Sequence, residues 1–183
     1  MRMPLPFPIR LLPLWLALCL AAPAQADCGA AATPEATRWP ADVVRGVEAF
    51  LRQHPDDPQG QRLRSERAGA ELAMQALQRR DVRLHRSAFC ADGDALQDEL
   101  HRAARGDREA AHRLARHYRG LPGEQNRYEG WLQFAAALGH EGASYELALH
   151  YRRTGQPIYA AMYEARAVER GFVVPVALDN VRK

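Results

Sequence analysis

The chain contains two copies of one pattern, and this internal repeat is the strongest constraint on how it folds. The segments AARGDREAAHRLARHY (103–118) and AALGHEGASYELALHY (136–151) agree at eight of sixteen positions, at an offset of 33 residues. Periods of this length with two helices per unit are typical of helical solenoids. A single helical hairpin cannot cover its own apolar face, whereas stacked hairpins cover each other. The sequence therefore predicts an all-α fold, a short α-α helical solenoid.

The pattern continues through a second helix in each unit. The first unit supplies Ala110, Leu114, Ala115, Tyr118, Gly123, Trp131, Ala135, Ala136 and Gly139. The second supplies Ala143, Leu147, Ala148, Tyr151, Gly155, Tyr163, Ala167, Val168 and Gly171. This unit resembles the Sel-1-like repeat, a relative of the tetratricopeptide repeat, over residues 94–183. The resemblance implies that the large residues and closing glycines are structural, and Gly130 and Glu164 depart from the family's pattern.

Residues ahead of the repeats are expected to cover the first repeat, because a short array needs covered ends. We predict an N-terminal helical cap at 41–93, preceded by a linker at 27–40. Residues 81–93 fit either a short extended piece or a frayed helix end, and Asn126 is expected to cap the helix that follows it. After the last repeat, Val173, Val174, Val176, Leu178 and Val181 form either a cap or a surface for a partner.

The first 26 residues have the order of parts of a secretory signal peptide. Arg2 and Arg10 precede an apolar run, and Ala24-Gln25-Ala26 is a small-residue cleavage site, so cleavage is expected after Ala26. A membrane anchor is the alternative, but the run is short for a span and Pro13 and Pro23 bracket it. We therefore expect a periplasmic or secreted protein without a transmembrane segment after cleavage.

Export changes the interpretation of the cysteines. Cys19 would leave with the signal peptide, so Cys28 and Cys90 would remain in an oxidising compartment. A disulfide between them is the economical prediction. It would close a loop of about sixty residues and stabilise the fold by roughly 4 kcal/mol in the chain-entropy model.

Charge and motif content argue against several classes of function. Removing Arg2 and Arg10 leaves 23 basic against 22 acidic residues, so there is no electrostatic case for nucleic acid. His112 and His117 are five residues apart, on different helical faces, and we expect neither a metal nor another cofactor. The three serines, Ser65, Ser87 and Ser144, lie in no nucleophile motif, and no catalytic residue is predicted.

The resemblance also implies a binding surface, because the first helices of such repeats line the concave side. The corresponding positions, which we call the groove stripe, are Glu109, His112, Arg113, Arg116, Arg119, Tyr145, Glu146, Leu149 and Arg152. Arginine binds carboxylates with two hydrogen bonds, and tyrosine adds contact area at low entropy cost. A peptide segment or an acidic tail would suit this stripe, although a solvated helix face explains the same residues.

These features favour a non-enzymatic adaptor or scaffold that binds another envelope protein or peptide through its helical-repeat groove. The first alternative is a peptidoglycan- or glycan-binding module, in which Trp131, Tyr145 and the arginines would contact sugar rings and carboxylates. A weaker alternative is a hydrolase with dispersed acids. A cleft that holds two carboxylates would favour the hydrolase.

Overall fold

The computed structural model describes residues 39–90 and 94–174, and within them the regular structure is helical. The helices are α1 (Pro40–Gln53), α2 (Gly60–Leu77), α3 (Asp94–Ala104), α4 (Arg108–Tyr118), α5 (Gln125–Ala137), α6 (Glu141–Arg153) and α7 (Pro157–Glu169), with a 3-10 turn at Arg86–Phe89. This confirms the all-α prediction. The signal peptide, Cys28, Val176, Leu178 and Val181 lie outside the described residues.

The helices pack in series, as a helical solenoid requires. From α3 to α7 each helix contacts the next, and α1 packs on α2. Between these layers, Leu114, Trp131 and Leu147 are fully buried, and Tyr151 and Tyr163 are nearly so. The alanines beside them, Ala115 and Ala148, let the helix backbones approach closely, so the large side chains fill the spaces between layers.

The turns of the two repeats share one geometry. Gly106 and Gly139 end α3 and α5 with φ of 83° and 99°, a left-handed conformation that glycine adopts without strain. The Asp107 carboxylate then caps α4, accepting hydrogen bonds from the backbone N–H groups of Glu109 and Ala110 at 2.9 and 3.0 Å. His140 takes the same position in the second repeat, where its Nδ1 accepts from the Ala143 N–H at 3.0 Å.

The N-cap expected at Asn126 is wrong. Helix α5 begins at Gln125 and its N-cap residue is Glu124, two residues earlier than predicted. Glu124 donates its N–H to the Leu121 carbonyl at 3.2 Å, so the turn closes before Asn126 is reached.

Helix α2 joins the N-terminal hairpin to the repeats through a close backbone contact. A Cβ atom placed on Gly69 would lie 2.1 Å from the Arg105 carbonyl oxygen, and one on Gly106 would lie 2.5 Å from the Gly69 carbonyl. Beside this contact Arg105 Nε donates to Glu66 Oε2 at 3.1 Å. Only a residue without a side chain fits at position 69, because real Cβ atoms do not approach an oxygen so closely.

A strap, residues 78–90, runs from the end of α2 across the second helices of the repeats. Residues 82–85 are non-helical and the 3-10 turn follows. This part of the chain therefore resembles the predicted extended piece more than a frayed helix end. The Arg83 N–H donates to Gln133 Oε1 of α5 at 2.7 Å, and Phe89 packs against Trp131 with ring centroids 4.9 Å apart. A Cβ on Gly130 would lie 3.0 Å from the Arg83 carbonyl oxygen, which explains why glycine departs from the repeat pattern there.

No helix among the described residues has the length and apolar composition needed to cross a membrane.

We predict that Gly69→Ala lowers the free energy of unfolding by about 3 kcal/mol or more, because overpacking against a backbone carbonyl outweighs alanine's helix propensity. Gly60→Ala, in the same helix, is the matched control. Its Cβ would meet only the mobile end of Arg64, at 3.4 Å, so stability should be unchanged or raised by up to about 1 kcal/mol. Urea unfolding followed by circular dichroism measures both. Equal stabilities for the two variants would contradict the close contact.

Candidate functional site

Two regions of the described chain have the chemistry of a binding site: the groove stripe on α4 and α6, and a cavity between the strap, α5 and α7. The groove stripe is crossed by contacts that join the two repeats. His112 Nε2 lies 2.9 Å from Glu146 Oε2, and His140 Nε2 lies 3.1 Å from Glu109 Oε2. The two imidazole rings are themselves in contact, with centroids 4.2 Å apart. These contacts hold the first helices of the two hairpins side by side.

Most arginines of the groove stripe are paired with carboxylates of this chain. Arg113 makes a two-pronged contact with Glu99 of α3 at 2.7 and 2.9 Å. Arg119 donates to Glu146 at 3.2 Å, and Arg152 pairs with Glu164 of α7. Exposed ion pairs of this kind contribute little net stability, so their arginines can exchange partners.

Arg116 differs from the other arginines of the groove stripe. It is exposed, and within residues 39–90 and 94–174 it has no ion-pair partner. Its guanidinium is therefore the group of the groove stripe best placed to meet an external carboxylate.

The two remaining members of the groove stripe are less accessible. Tyr145 is 7% exposed and stacks on Phe172, with ring centroids 4.6 Å apart, and Leu149 is half-buried. The groove stripe thus offers charge at its surface, and its aromatic ring belongs to the packing of α6 against the chain that follows α7.

Burial and hydrogen bonding shift the pKa values of the groups that join the repeats. The hydrogen bond from His112 lowers the pKa of Glu146 in spite of partial burial, and the charge of Arg119 adds to the effect. Burial lowers the pKa of His140, and the neighbouring His112 lowers it further. The neutral imidazole suits the N-cap, because an Nδ1 that accepts from the Ala143 N–H cannot also carry a proton.

We predict that His140→Asn reduces the loss of stability on acidification. With its pKa lowered in the folded state, His140 takes up a proton more readily in the unfolded chain, so its contribution is complete above about pH 6.5 and is lost below that value. Asparagine caps helices well and does not titrate. His117→Asn, at an exposed histidine, is the matched control and should keep the wild-type pH dependence. Urea unfolding across this pH range measures the effect, and identical profiles for all three proteins would contradict it.

The second region is an open cavity of about 360 Å³, which we call the tyrosine cavity. Tyr151, Tyr159 and Tyr163 line it together with Met162 of α7. The strap contributes Arg80, Asp81 and Arg83, and α5 contributes Glu129 and Gln133. The cavity thus exists because the strap crosses the second helices instead of ending at the first repeat.

The buried polar groups beneath the cavity are satisfied by one another. Gln133 Nε2 donates to the Tyr151 hydroxyl and to Glu129 Oε1, each at 2.9 Å. The Tyr151 hydroxyl donates to Glu129 Oε1 at 2.9 Å, and His150 Nε2 lies 3.3 Å from Glu129 Oε2. The contact with His150 lowers the pKa of Glu129, while burial raises the pKa of Tyr151 to about 12. This floor is therefore fixed, with Glu129 ionised and Tyr151 protonated at neutral pH.

Asp81 anchors the strap to the last helix. The Tyr163 hydroxyl donates to Asp81 Oδ2 at 3.1 Å, Arg166 pairs with the same oxygen, and Arg79 Nε donates to Oδ1 at 3.1 Å. Burial opposes ionisation of this carboxyl, but the hydrogen bonds and charges of Arg79 and Arg166 hold its pKa well below the usual range. Beside it, burial and the Asp81 charge raise the pKa of Tyr163.

We predict that Asp81→Asn destabilises the protein by about 1–3 kcal/mol, because it leaves Arg166 without its charged partner. Glu164→Gln, which breaks the more exposed pair with Arg152, is the matched control and should cost less than about 1 kcal/mol. The two free energies of unfolding should be compared at neutral pH. An equal cost for the two substitutions would show that Asp81 does not anchor the strap.

The tyrosine cavity holds two carboxylates, Asp81 and Glu129, and a pair of carboxylates in one cleft is the arrangement that would favour a hydrolase. Glycoside hydrolysis requires one carboxyl group that stays protonated near neutral pH to act as the acid. The pKa values of both carboxyl groups are lowered here, so both are ionised and neither is prepared for that role.

Among the described residues, no group of three or more histidine, cysteine or acidic side chains is arranged to hold a metal ion. Cys90 follows the 3-10 turn, and its expected partner Cys28 lies outside the described residues, so their pairing stays a prediction.

Sequence reasoning did not find the tyrosine cavity. The repeat pattern assigns Tyr151 and Tyr163 to packing, which they also perform, and the strap arginines belong to no motif. The signal that could have pointed to the cavity is Gly130, whose departure from the repeat pattern marks where the strap crosses α5. Comparison with protein-family models, with curated proteins and with solved structures found no match to this chain.

Proposed function

We propose that this protein is a non-enzymatic adaptor of the bacterial periplasm that binds a segment of another envelope protein through the groove stripe. The observation that carries the proposal is the joining of α4 and α6 by the His112–Glu146 and His140–Glu109 contacts. These contacts make one continuous charged surface from two repeats. Such a surface can hold an extended segment across several side chains, which is the usual work of stacked helical repeats.

The charges of the groove stripe favour an acidic segment as the partner. Four arginines, Arg113, Arg116, Arg119 and Arg152, face two glutamates, Glu109 and Glu146. Glu109 pairs with Arg108, and Arg113, Arg119 and Arg152 pair with Glu99, Glu146 and Glu164, so among the described residues the positive group of the groove stripe left without an ion-pair partner is Arg116. Partner carboxylates can replace the exposed pairs of Arg113 and Arg152 and meet Arg116 directly.

The compartment and the family in this proposal rest on the sequence. The signal peptide at 1–26 and a Cys28–Cys90 disulfide suit the periplasm, and the repeat pattern resembles the Sel-1-like family. The ionised state of Asp81 and Glu129 supports the non-enzymatic assignment over the hydrolase. The absence of a cofactor and of a nucleic-acid partner stays part of the proposal.

A peptidoglycan- or glycan-binding module is the second candidate, but it needs different aromatic residues from those first expected. Trp131 is fully buried and Tyr145 is 7% exposed, so neither ring can stack on a sugar. Tyr159, which is 47% exposed at the tyrosine cavity, is the aromatic residue that a sugar could reach. Retention of the purified protein by isolated cell wall, with no other protein present, would favour this candidate over the adaptor.

We predict that a photo-crosslinking amino acid placed at Arg116 captures a discrete partner in the cell envelope. The same amino acid at Arg64, an exposed arginine of α2 away from the groove stripe, is the matched control and should capture none. The adduct should also disappear when Arg113→Glu and Arg119→Glu are added, because reversed charges repel an acidic segment. Mass spectrometry of the adducts identifies the partner.

Two results of this experiment would contradict the proposal. Equal capture from positions 116 and 64 would show that contact at the groove stripe is unspecific. An adduct that survives both charge reversals would show that the partner is not held by the arginines.

A further inference from the structure

The tyrosine cavity presents two positive groups that the fold leaves unused. Arg80 and Arg83 line the cavity and are exposed, and among the described residues their guanidinium groups have no hydrogen-bond or ion-pair partner. By contrast, Arg79 and Arg166 are both committed to Asp81. Arg80 and Arg83 lie on either side of Asp81 in the sequence, so the anchored strap holds both of them at the cavity.

The acidic residues of the cavity do not cancel these charges. Asp81 is paired with two arginines, Arg79 and Arg166, which together carry one positive charge more than it does. That charge balances Glu129, which is ionised and accepts hydrogen bonds from Tyr151 and Gln133. Arg83 lowers the pKa of Glu129 from a distance but forms no ion pair with it. The excess charge at the cavity is therefore positive, and its ligand should carry an anionic group.

The same cavity also has an apolar wall. Tyr159 is 47% exposed, Met162 is half-buried, and both line the cavity. The polar floor formed by Gln133, Tyr151 and Tyr163 is buried and hydrogen-bonded, so its groups are already in place and need no hydrogen bonds from a ligand. A ligand that fits these surroundings has a carboxylate and an apolar side chain close together.

We propose that the tyrosine cavity binds the C-terminal residue of a peptide, with its carboxylate at Arg80 and Arg83 and its apolar side chain against Tyr159 and Met162. Two arginines recognise a carboxylate through charge-assisted hydrogen bonds, and a tyrosine ring supplies contact area with little loss of entropy. The volume of about 360 Å³ lies near the small end of ligand pockets, which suits a chain end better than a long segment. This site is separate from the groove stripe and does not depend on the function proposed for it.

The test compares acetyl-Ala-Ala-Phe with its C-terminal amide, using the purified protein labelled with nitrogen-15. Titration followed by amide chemical shifts gives the dissociation constant and the residues affected. We expect the free acid to bind with shifts centred on the strap and α7, and the amide to bind about tenfold more weakly or worse, because it lacks the charge. This comparison requires no substitution, so it stands even if a variant fails to fold.

Substitutions then identify which side chains of the cavity bind the carboxylate and which bind the apolar side chain of the peptide. The double variant Arg80→Gln/Arg83→Gln should weaken binding of the acid about tenfold or more and abolish the preference over the amide. Arg64→Gln is the matched control for lost surface charge and should bind as the wild type. Tyr159→Ala should weaken the acid and the amide by the same factor, since it removes only the apolar wall.

Four results would overturn the proposal. One is equal affinity for acid and amide, and another is wild-type affinity in the double arginine variant. A third is the absence of binding at millimolar peptide, and the fourth is acetate alone producing the same shifts with the same affinity. Failure here with a specific adduct at position 116 would leave the adaptor standing, whereas success here without that adduct would leave the cavity as the binding site of the protein.

Discussion

The contact of Asp81 with Tyr163 and Arg166 connects parts of the chain that a linear array of repeats would keep apart. In a solenoid, each hairpin touches only its neighbours, and the ends are independent of one another. Here a single carboxylate ties the segment after α2 to the last described helix. Because Asp81 is fixed there, the rest of the strap must cross α5, and its passage brings Phe89 onto Trp131. The tyrosine cavity is the space that this crossing leaves open.

The strap also explains why the sequences of the second helices, α5 and α7, differ more than those of the first helices, α4 and α6. Trp131 and Tyr163 occupy equivalent repeat positions, but the strap meets them differently. Tyr163 donates its hydroxyl to Asp81, whereas Trp131 lies among Phe89 and Phe134, and within the described residues its indole N–H has no hydrogen-bond partner. An unsatisfied buried donor costs about 1–3 kcal/mol, which the aromatic packing around it must offset. The strap donates to Gln133 of α5 and accepts from Tyr163 of α7, so its hydrogen bonds fall on the helices whose sequences differ.

The parts of the fold that sequence could predict are those fixed by local interactions. A glycine with positive φ at the end of a helix, an aspartate that caps the next one, and a run of alanines at helical spacing each act within a few residues. The 33-residue offset then gives the stacking, because two similar units can cover their apolar faces by packing against each other. The positions of the groove stripe on α4 and α6 came from the resemblance to the Sel-1-like repeat.

What the sequence could not supply are contacts between distant residues that have no periodic pattern. Asp81 and Tyr163 are separated by 82 positions, and nothing in either local sequence indicates the other. The burial of Tyr145 under Phe172 has the same origin, since Phe172 lies after the last complete repeat. His140 makes contacts of both kinds. Its N-cap hydrogen bond to α6 is local, whereas its contact with Glu109 depends on the neighbouring hairpin.

Net charge is a poor guide to what such a surface can bind. Without Arg2 and Arg10 the chain is almost neutral, which argues against a polyanion such as nucleic acid. Most of the charges described by the structure are used inside the molecule, where Asp81, Glu99 and Glu146 each hold an arginine. The few arginines left over therefore decide the local chemistry. Arg116 gives the groove stripe one such group, whereas Arg80 and Arg83 give the tyrosine cavity two in addition to its apolar wall, an arrangement that can distinguish a free carboxylate from its amide.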